Sequence, residues 1–267
     1  MAGPAPVLPG QGRVPYTPLP RRRPAYTGPI VVARHEGIVR QKPYGQQIDL
    51  LCQDNIGDER FTVAERTYNP GAVVQVEQRD SEAIHVFSGR GEFRAWPKNV
   101  PEDMPVFSPL LPGMEIVVDQ HVRHEIRVTG PDPVVTLVTA SHLDFPAYPH
   151  HYPAIFKPGR GNSLHMHDNR VEAFYVVSGP GAQSIADESN HEVRDVIVPP
   201  GGVGHKPMYV YHRQFNPSDP NDPNAEDCYW IHSMVVFTHR GSRLPQVHLR
   251  MHELDGKTPR WENTSHL

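Results

Sequence analysis

His165-Met166-His167, Glu172 and His205 are the residues of this chain whose types and spacing could do chemistry. Neutral imidazoles and a carboxylate are donors for first-row divalent metals such as Fe, Mn, Ni, Cu or Zn, and the donor set alone does not choose among them. On a β-strand, residues two apart point to the same side, so His165 and His167 can reach one point. The elements needed to complete the set are written around them. Asp168-Asn169-Arg170 is turn chemistry, and Val171 to Val177 has the β-branched and aromatic composition of a strand, with Glu172 near its start. A hairpin there brings the carboxylate beside the two rings. Ser178-Gly179-Pro180-Gly181 closes that strand, Asp195 to Val198 forms another, and Pro199-Pro200-Gly201-Gly202 turns it back so that His205 begins the return.

The stretch resembles the two cupin motifs. Gly159 or Gly161, His165, His167, Glu172 and Gly179 match the first, and Asp195, Pro200, Gly202 and His205 match the second. The resemblance implies a double-stranded β-helix barrel with one metal held by His165, His167, Glu172 and His205. It says little about the reaction, because cupins include dioxygenases, decarboxylases, isomerases, hydrolases and metal-free storage or binding proteins.

An earlier part of the chain repeats the pattern. Gln75, Glu82 and Gly89 have the same seven-residue steps as His165, Glu172 and Gly179, and Glu82-Ala83-Ile84-His85-Val86-Phe87-Ser88-Gly89 parallels Glu172 to Gly179. Leu110-Leu111-Pro112-Gly113 precedes a strand at Met114 to Val118, and His124 falls at the expected place of His205. Two copies of one barrel unit is the simplest account. The fold class expected is all-β, two tandem cupin (jelly-roll) barrels: a Pro-rich arm and first strand over 1–45, an N-terminal cupin over 46–145 and a C-terminal metal-binding cupin over 146–267. In the first copy Gln75 and Glu77 stand where the paired histidines would be. Glu77, Glu82 and His124 form a second site on one reading, and on the other that barrel has lost its metal. His150-His151 falls in the Pro-rich boundary, Pro146 to Pro153, and reads as linker.

Composition bounds the rest. The chain has 267 residues, 37% hydrophobic, with 30 Pro and 21 Gly, as expected of short strands joined by turns. A net charge of −4 gives no reason to expect nucleic acid or an anionic membrane as partner. Cys52 and Cys228 have no thiolate-metal spacing and suggest no disulfide framework. With no signal-peptide pattern at the start and no apolar run of membrane length, the reading is a soluble cytoplasmic protein. Cupins commonly form dimers, so the resemblance implies a homodimer.

Downstream of His205, Tyr209 shares its face if the strand is regular, while His212 would then turn away. Arg213 is a candidate for pairing with a substrate carboxylate, so Tyr209 and Arg213 are the expected catalytic residues. The polar loop from Asn216 to Asp227 is a lid or an idle insertion, and His232 lines the pocket or sits in the core. Four protein ligands on an octahedral metal leave up to two positions for substrate, or for substrate with dioxygen. The expected function is an Fe(II) dioxygenase acting on a small oxygenated or carboxylated molecule. The alternatives are a non-oxidative decarboxylase, isomerase or lyase using Mn, Zn or Ni, and a non-enzymatic bicupin.

Overall fold

A computed structural model describes residues 30–57, 61–77, 80–98, 100–141, 147–167, 170–186, 193–237, 247–251 and 261–265. The Pro-rich arm over 1–29 and the Asp168-Asn169 turn lie outside the described residues. Strands make nearly all of the regular structure; the described helical pieces are Gln53–Ile56 and a 3-10 turn at Arg34–Glu36. Cys52 and Cys228 are buried free thiols. No helix of the described residues is long and apolar enough to cross a membrane.

The strands form four sheets, two to a barrel. An eight-stranded sheet built around Phe61–Tyr68, Val134–Ser141 and Ser81–Ser88 faces a four-stranded sheet in the N-terminal barrel. A five-stranded sheet built around Arg170–Ser178 and Cys228–Phe237 faces a three-stranded sheet in the C-terminal barrel. The tandem jelly-roll expected from the sequence is the fold observed.

Several strands are buried on both faces, and the reason is the packing of one barrel against the other. In Ser81–Ser88, Ile84 and Val86 point into the first barrel with Phe93, Met114 and Ile126. The opposite face carries Ala83, His85 and Phe87, and Phe87 stacks on Tyr175 of the second barrel. Arg170–Ser178 divides in the same way. Phe174 and Val176 join Trp230 inside the second barrel, while Val171, Ala173 and Tyr175 pack with Leu50, Phe61, Val63 and Leu137 between the barrels. A continuous apolar layer of this kind contributes about 25 cal/mol per Å² of surface it removes from water.

Both chain ends cross between the barrels. Val31–Val32 pairs with Val203 and Gly204 of the C-terminal barrel, and Val247–Met251 pairs with Met114–Val118 of the N-terminal one. The exchange crosses the boundaries drawn at residues 45 and 145. The expected linker around His150-His151 is instead a strand, Ala147–Phe156, paired along its length with Cys228–Phe237. There His151 is fully buried, with Nε2 2.9 Å from the Thr139 hydroxyl and its backbone amide donating to Glu115. Pro residues at 149 and 153 had argued against a strand, but the strand lies at the sheet edge, where a missing donor costs no ladder bond.

Candidate metal centre

The Glu172 strand, Arg170–Ser178, runs between Val203–Lys206 and Cys228–Phe237 in the C-terminal barrel. Its carboxylate is 1% exposed and surrounded by nitrogen. Oε1 lies 3.0 Å from His167 Nε2 and 3.0 Å from Arg170 Nε, and Oε2 lies 3.3 Å from His212 Nε2 and 3.2 Å from His232 Nε2. These approaches miss hydrogen-bond geometry: both Glu172 oxygens and the Nε2 atoms of His212 and His232 are buried without a hydrogen-bond partner. Donors that converge without satisfying one another are what a cation completes. One ligand atom from each of His165, His167, Glu172 and His212 lies within 4.8 Å of the others.

The backbone holds these rings. His165 and His212 form an isolated two-bond bridge, with N to O distances of 2.9 and 2.7 Å. The Nδ1 of His165 lies 2.7 Å from the Ser163 carbonyl and that of His212 lies 2.8 Å from the Val210 carbonyl. With Nδ1 committed to a carbonyl, Nε2 is left as the ligating nitrogen, the arrangement by which proteins fix the tautomer of a metal-binding histidine. The Arg170 guanidinium reaches the His167 ring at 2.9 Å and steadies that side of the group.

His165, His167 and Glu172 therefore come together as the sequence suggests, and His205 does not join them. His205 pairs with Ala173 across the sheet, and like Ala173 it faces the layer between the barrels, where its ring lies 5.5 Å from Phe61. The residue opposite Glu172 is Lys206. His212 enters instead, because the register puts even-numbered Gly204 and Lys206, and not His205, on the inner face. The strand ends after Lys206, Tyr209 takes a left-handed φ of 66°, and a separate strand, His212–Phe215, follows. Tyr209 is 39% exposed, and its amide donates to the His167 carbonyl. Arg213 alternates away from His212; its Nε donates to the Ser184 hydroxyl and its guanidinium lies 4.0 Å from Asp195. The loop from Asn216 to Asp227 folds onto the segment after Phe156, with the Asn216 amide donating to the Phe156 and Glu226 carbonyls.

No protein-family model and no curated protein sequence matches the chain. Solved structures do. Oxalate decarboxylase from Bacillus subtilis at pH 4.6 aligns with a TM-score of 0.64 over 89% of this chain and 87% of that one, at 12% identity. A second structure of the same enzyme, from work assigning its Mn(II) centres, aligns with a TM-score of 0.63 over 89% of each chain, also at 12% identity. The likeness is one of fold. This chain has the two-barrel cupin fold.

The pairing registers align the two cupin barrels residue by residue. Val118 stands opposite Glu82 where Lys206 stands opposite Glu172, and Val138 pairs with Ile84 where His232 pairs with Phe174. His124 pairs with Ala95, four residues past Gly91 (95 − 91), and His212 pairs with Ile185, four past Gly181 (185 − 181). The counterpart of His124 is thus His212 rather than His205. Val76 stands opposite His124 as His165 stands opposite His212.

Among the described residues, the first barrel brings together no comparable donor group. Glu77 is exposed, and Glu82 is held by Arg66, whose Nη atoms lie 3.0 and 3.5 Å from the two carboxylate oxygens. His124 Nε2 stands 3.9 Å from Glu82. Glu77, Glu82 and His124 are not brought together as a donor group among the described residues, and Glu82 is paired with the Arg66 guanidinium.

Burial pushes the His167 and His212 rings down to about 4, against the opposing pull of Glu172, and lowers His232 as well. Burial also raises the Glu172 carboxyl, but His212, His232 and Lys206 overcome it and hold the group far below the carboxylate range. Lys206 is lowered well below an ordinary lysine by burial, with Glu172 opposing. The sign for stability follows. Between about 6.5 and about 4 an unfolded chain protonates these imidazoles and the folded one does not, so metal-free protein loses stability as pH falls through that window. Urea unfolding at pH 7 and pH 5 checks this, with a double His167→Asn, His212→Asn variant expected to show a shallower pH slope. Equal slopes would mean that the two rings are not buried neutral.

Proposed function

We propose that the chain is a metal-dependent enzyme acting on a small oxygenated or carboxylated molecule, with a divalent ion held by His165, His167, Glu172 and His212. The observation that carries this is the convergence of four ligand atoms within 4.8 Å, around a buried carboxylate whose lone pairs have no hydrogen-bond partner. Mn(II) or Fe(II) suits two or three imidazoles with a carboxylate, and such an ion supplies Lewis acidity and a template for oxygen ligands.

The protein's own part is positioning and exclusion of water. Arg170 Nε and His232 Nε2 flank the Glu172 carboxylate, lying 3.0 and 3.2 Å from its Oε1 and Oε2. The Phe174 ring stacks on His232 at 4.2 Å and meets Trp230 edge-on at 5.3 Å, a dry floor beneath the site. His165 and His167 are partly exposed, so the group is approached from their side. Tyr209, 39% exposed and bonded through its amide to the His167 carbonyl, is the candidate for substrate contact.

A non-oxidative reaction, decarboxylation or a related cleavage, is the first reading. It is supported by the fold of the decarboxylase neighbours. An Fe(II) dioxygenase is the second, supported by the four-donor set, which leaves up to two positions on an octahedral ion. The test is elemental analysis of protein purified without oxygen, followed by a screen of small carboxylates for oxygen uptake and carbon dioxide release. Near-stoichiometric Mn with carbon dioxide released and no oxygen consumed supports the first reading. Fe with stoichiometric oxygen uptake supports the second, and a protein that takes up neither ion overturns both.

A further inference from the structure

Lys206 is the charged residue at this centre that metal ligation leaves unused. It is 1% exposed, and its Nζ is buried with no hydrogen-bond partner. Lysine is almost never buried to this degree unless paired. Lys206 stands directly opposite Glu172 in an antiparallel pair, so the two side chains project from one face of the sheet into the same barrel interior. The Nζ sits over the Phe174 ring, 2.9 Å from its centroid, and that ring is fixed in turn against His232 and Trp230. The amine is thus held on an aromatic platform beside the metal group.

We propose that Lys206 binds a carboxylate of the substrate beside the metal, which makes the substrate a small acid with a second oxygen donor, such as a 2-oxo acid, a 2-hydroxy acid or a dicarboxylate. The inference rests on the reading of the preceding subsection.

Charge argues for it. With a divalent ion on Glu172, the carboxylate's single negative charge is claimed, and Arg170 adds further positive charge around the same buried point. An anion is what such a site lacks, and one that spans ion and amine offsets both. An amine donates hydrogen bonds to that anion whether it is already charged or takes the proton of the incoming acid.

The first barrel argues against a merely structural role. There the equivalent carboxylate, Glu82, is balanced by Arg66 from a different strand, and Val118 occupies the place of Lys206. The fold therefore needs no lysine at this position. The lysine, His232 and His165 all occur in the barrel that assembles the donor group, where the other barrel has Val118, Val138 and Val76.

The experiment uses Mn(II)-loaded full-length protein and oxalate as the probe, read by calorimetry. Lys206→Met keeps roughly the length of the side chain and removes its amine. The variant is expected to retain its Mn(II) and to bind oxalate about tenfold to a hundredfold more weakly, the range for losing a charge-assisted hydrogen bond. Retained metal with unchanged oxalate affinity overturns the role of Lys206 and leaves the metal reading standing. Wild-type protein that takes up no Mn(II) overturns both. Should Lys206→Met not fold, the ζ-nitrogen NMR signal of Lys206 in Zn(II)-loaded wild type decides, assigned by its absence in Lys206→Arg. The signal is expected to shift on adding oxalate, and one that does not move refutes the contact.

Discussion

Replacing His212 by alanine should strip the metal from the protein, while replacing His205 by alanine should leave it bound. The two residues compete for one role, and geometry separates them. His212 offers Nε2 at 3.3 Å from Glu172 Oε2, with its Nδ1 anchored on the Val210 carbonyl. His205 is equally buried but lies on the other face of the sheet, against Phe61 between the barrels. Removal of a direct ligand should weaken binding beyond the roughly 10- to 100-fold that loss of an outer partner costs. His205→Ala should instead cost stability, about 1–3 kcal/mol for a truncated buried side chain. Metal content after dialysis, measured beside the thermal midpoint, reads both effects. Metal lost in His205→Ala and kept in His212→Ala would restore the ligand set that the sequence motif suggests.

That competition shows where the sequence was legible and where it was not. The first three donors lie within eight residues of one another, with His165 held by an isolated bridge to His212 rather than in the expected strand and Glu172 near the start of Arg170–Ser178. Such short spacings survive any arrangement of the rest of the chain, so His165, His167 and Glu172 could be placed by counting. The fourth donor depends on register across the sheet and on where one strand stops. Counting from Pro200-Gly201-Gly202 leads to His205, but the pairing of Val203 with Tyr175 sets Val203 and His205 on the face between the barrels, and Gly204 and Lys206 inside. His212 has the parity of Lys206, so assigning His205 to the inner face is what turns His212 away in a reading of the sequence. A hint was present in the first copy. His124 lies 42 residues after Glu82, a spacing closer to that of His212 after Glu172 (40) than to that of His205 (33).

The barrels themselves were legible because strand composition and turn residues recur at matching spacing. Gly89 and Gly179 illustrate why. Both close their strands at positive φ, and a Cβ there would collide with the carbonyl of Pro133 or of Asp227. Strand exchange by the chain ends was not legible, since a short apolar run such as Val31–Val32 carries no sign of which sheet it joins. The two-faced burial of the central strands also hid their role. Ala83, His85 and Phe87 alternate with Glu82, Ile84 and Val86 without a polar face to mark the outside.

Arg66→Leu should destabilise the protein by about 3–5 kcal/mol at neutral pH, the penalty for leaving one member of a buried ion pair alone. The Arg66 and Glu82 side chains are 17% and 5% exposed, so little water reaches the carboxylate to replace the guanidinium. A second substitution, Glu82→Gln, should recover most of that loss by removing the stranded charge, although Glu82→Gln alone destabilises. The loss should also shrink as pH falls, because protonation of Glu82 removes the charge that Arg66 balances. Denaturant unfolding of the four proteins in this cycle measures the coupling. Additive losses in the double variant would mean that Arg66 acts through packing and not as the counter-charge of Glu82. The expected coupling would instead identify the first barrel as one whose carboxylate is neutralised by the chain itself, where the second barrel leaves the same position open to a metal.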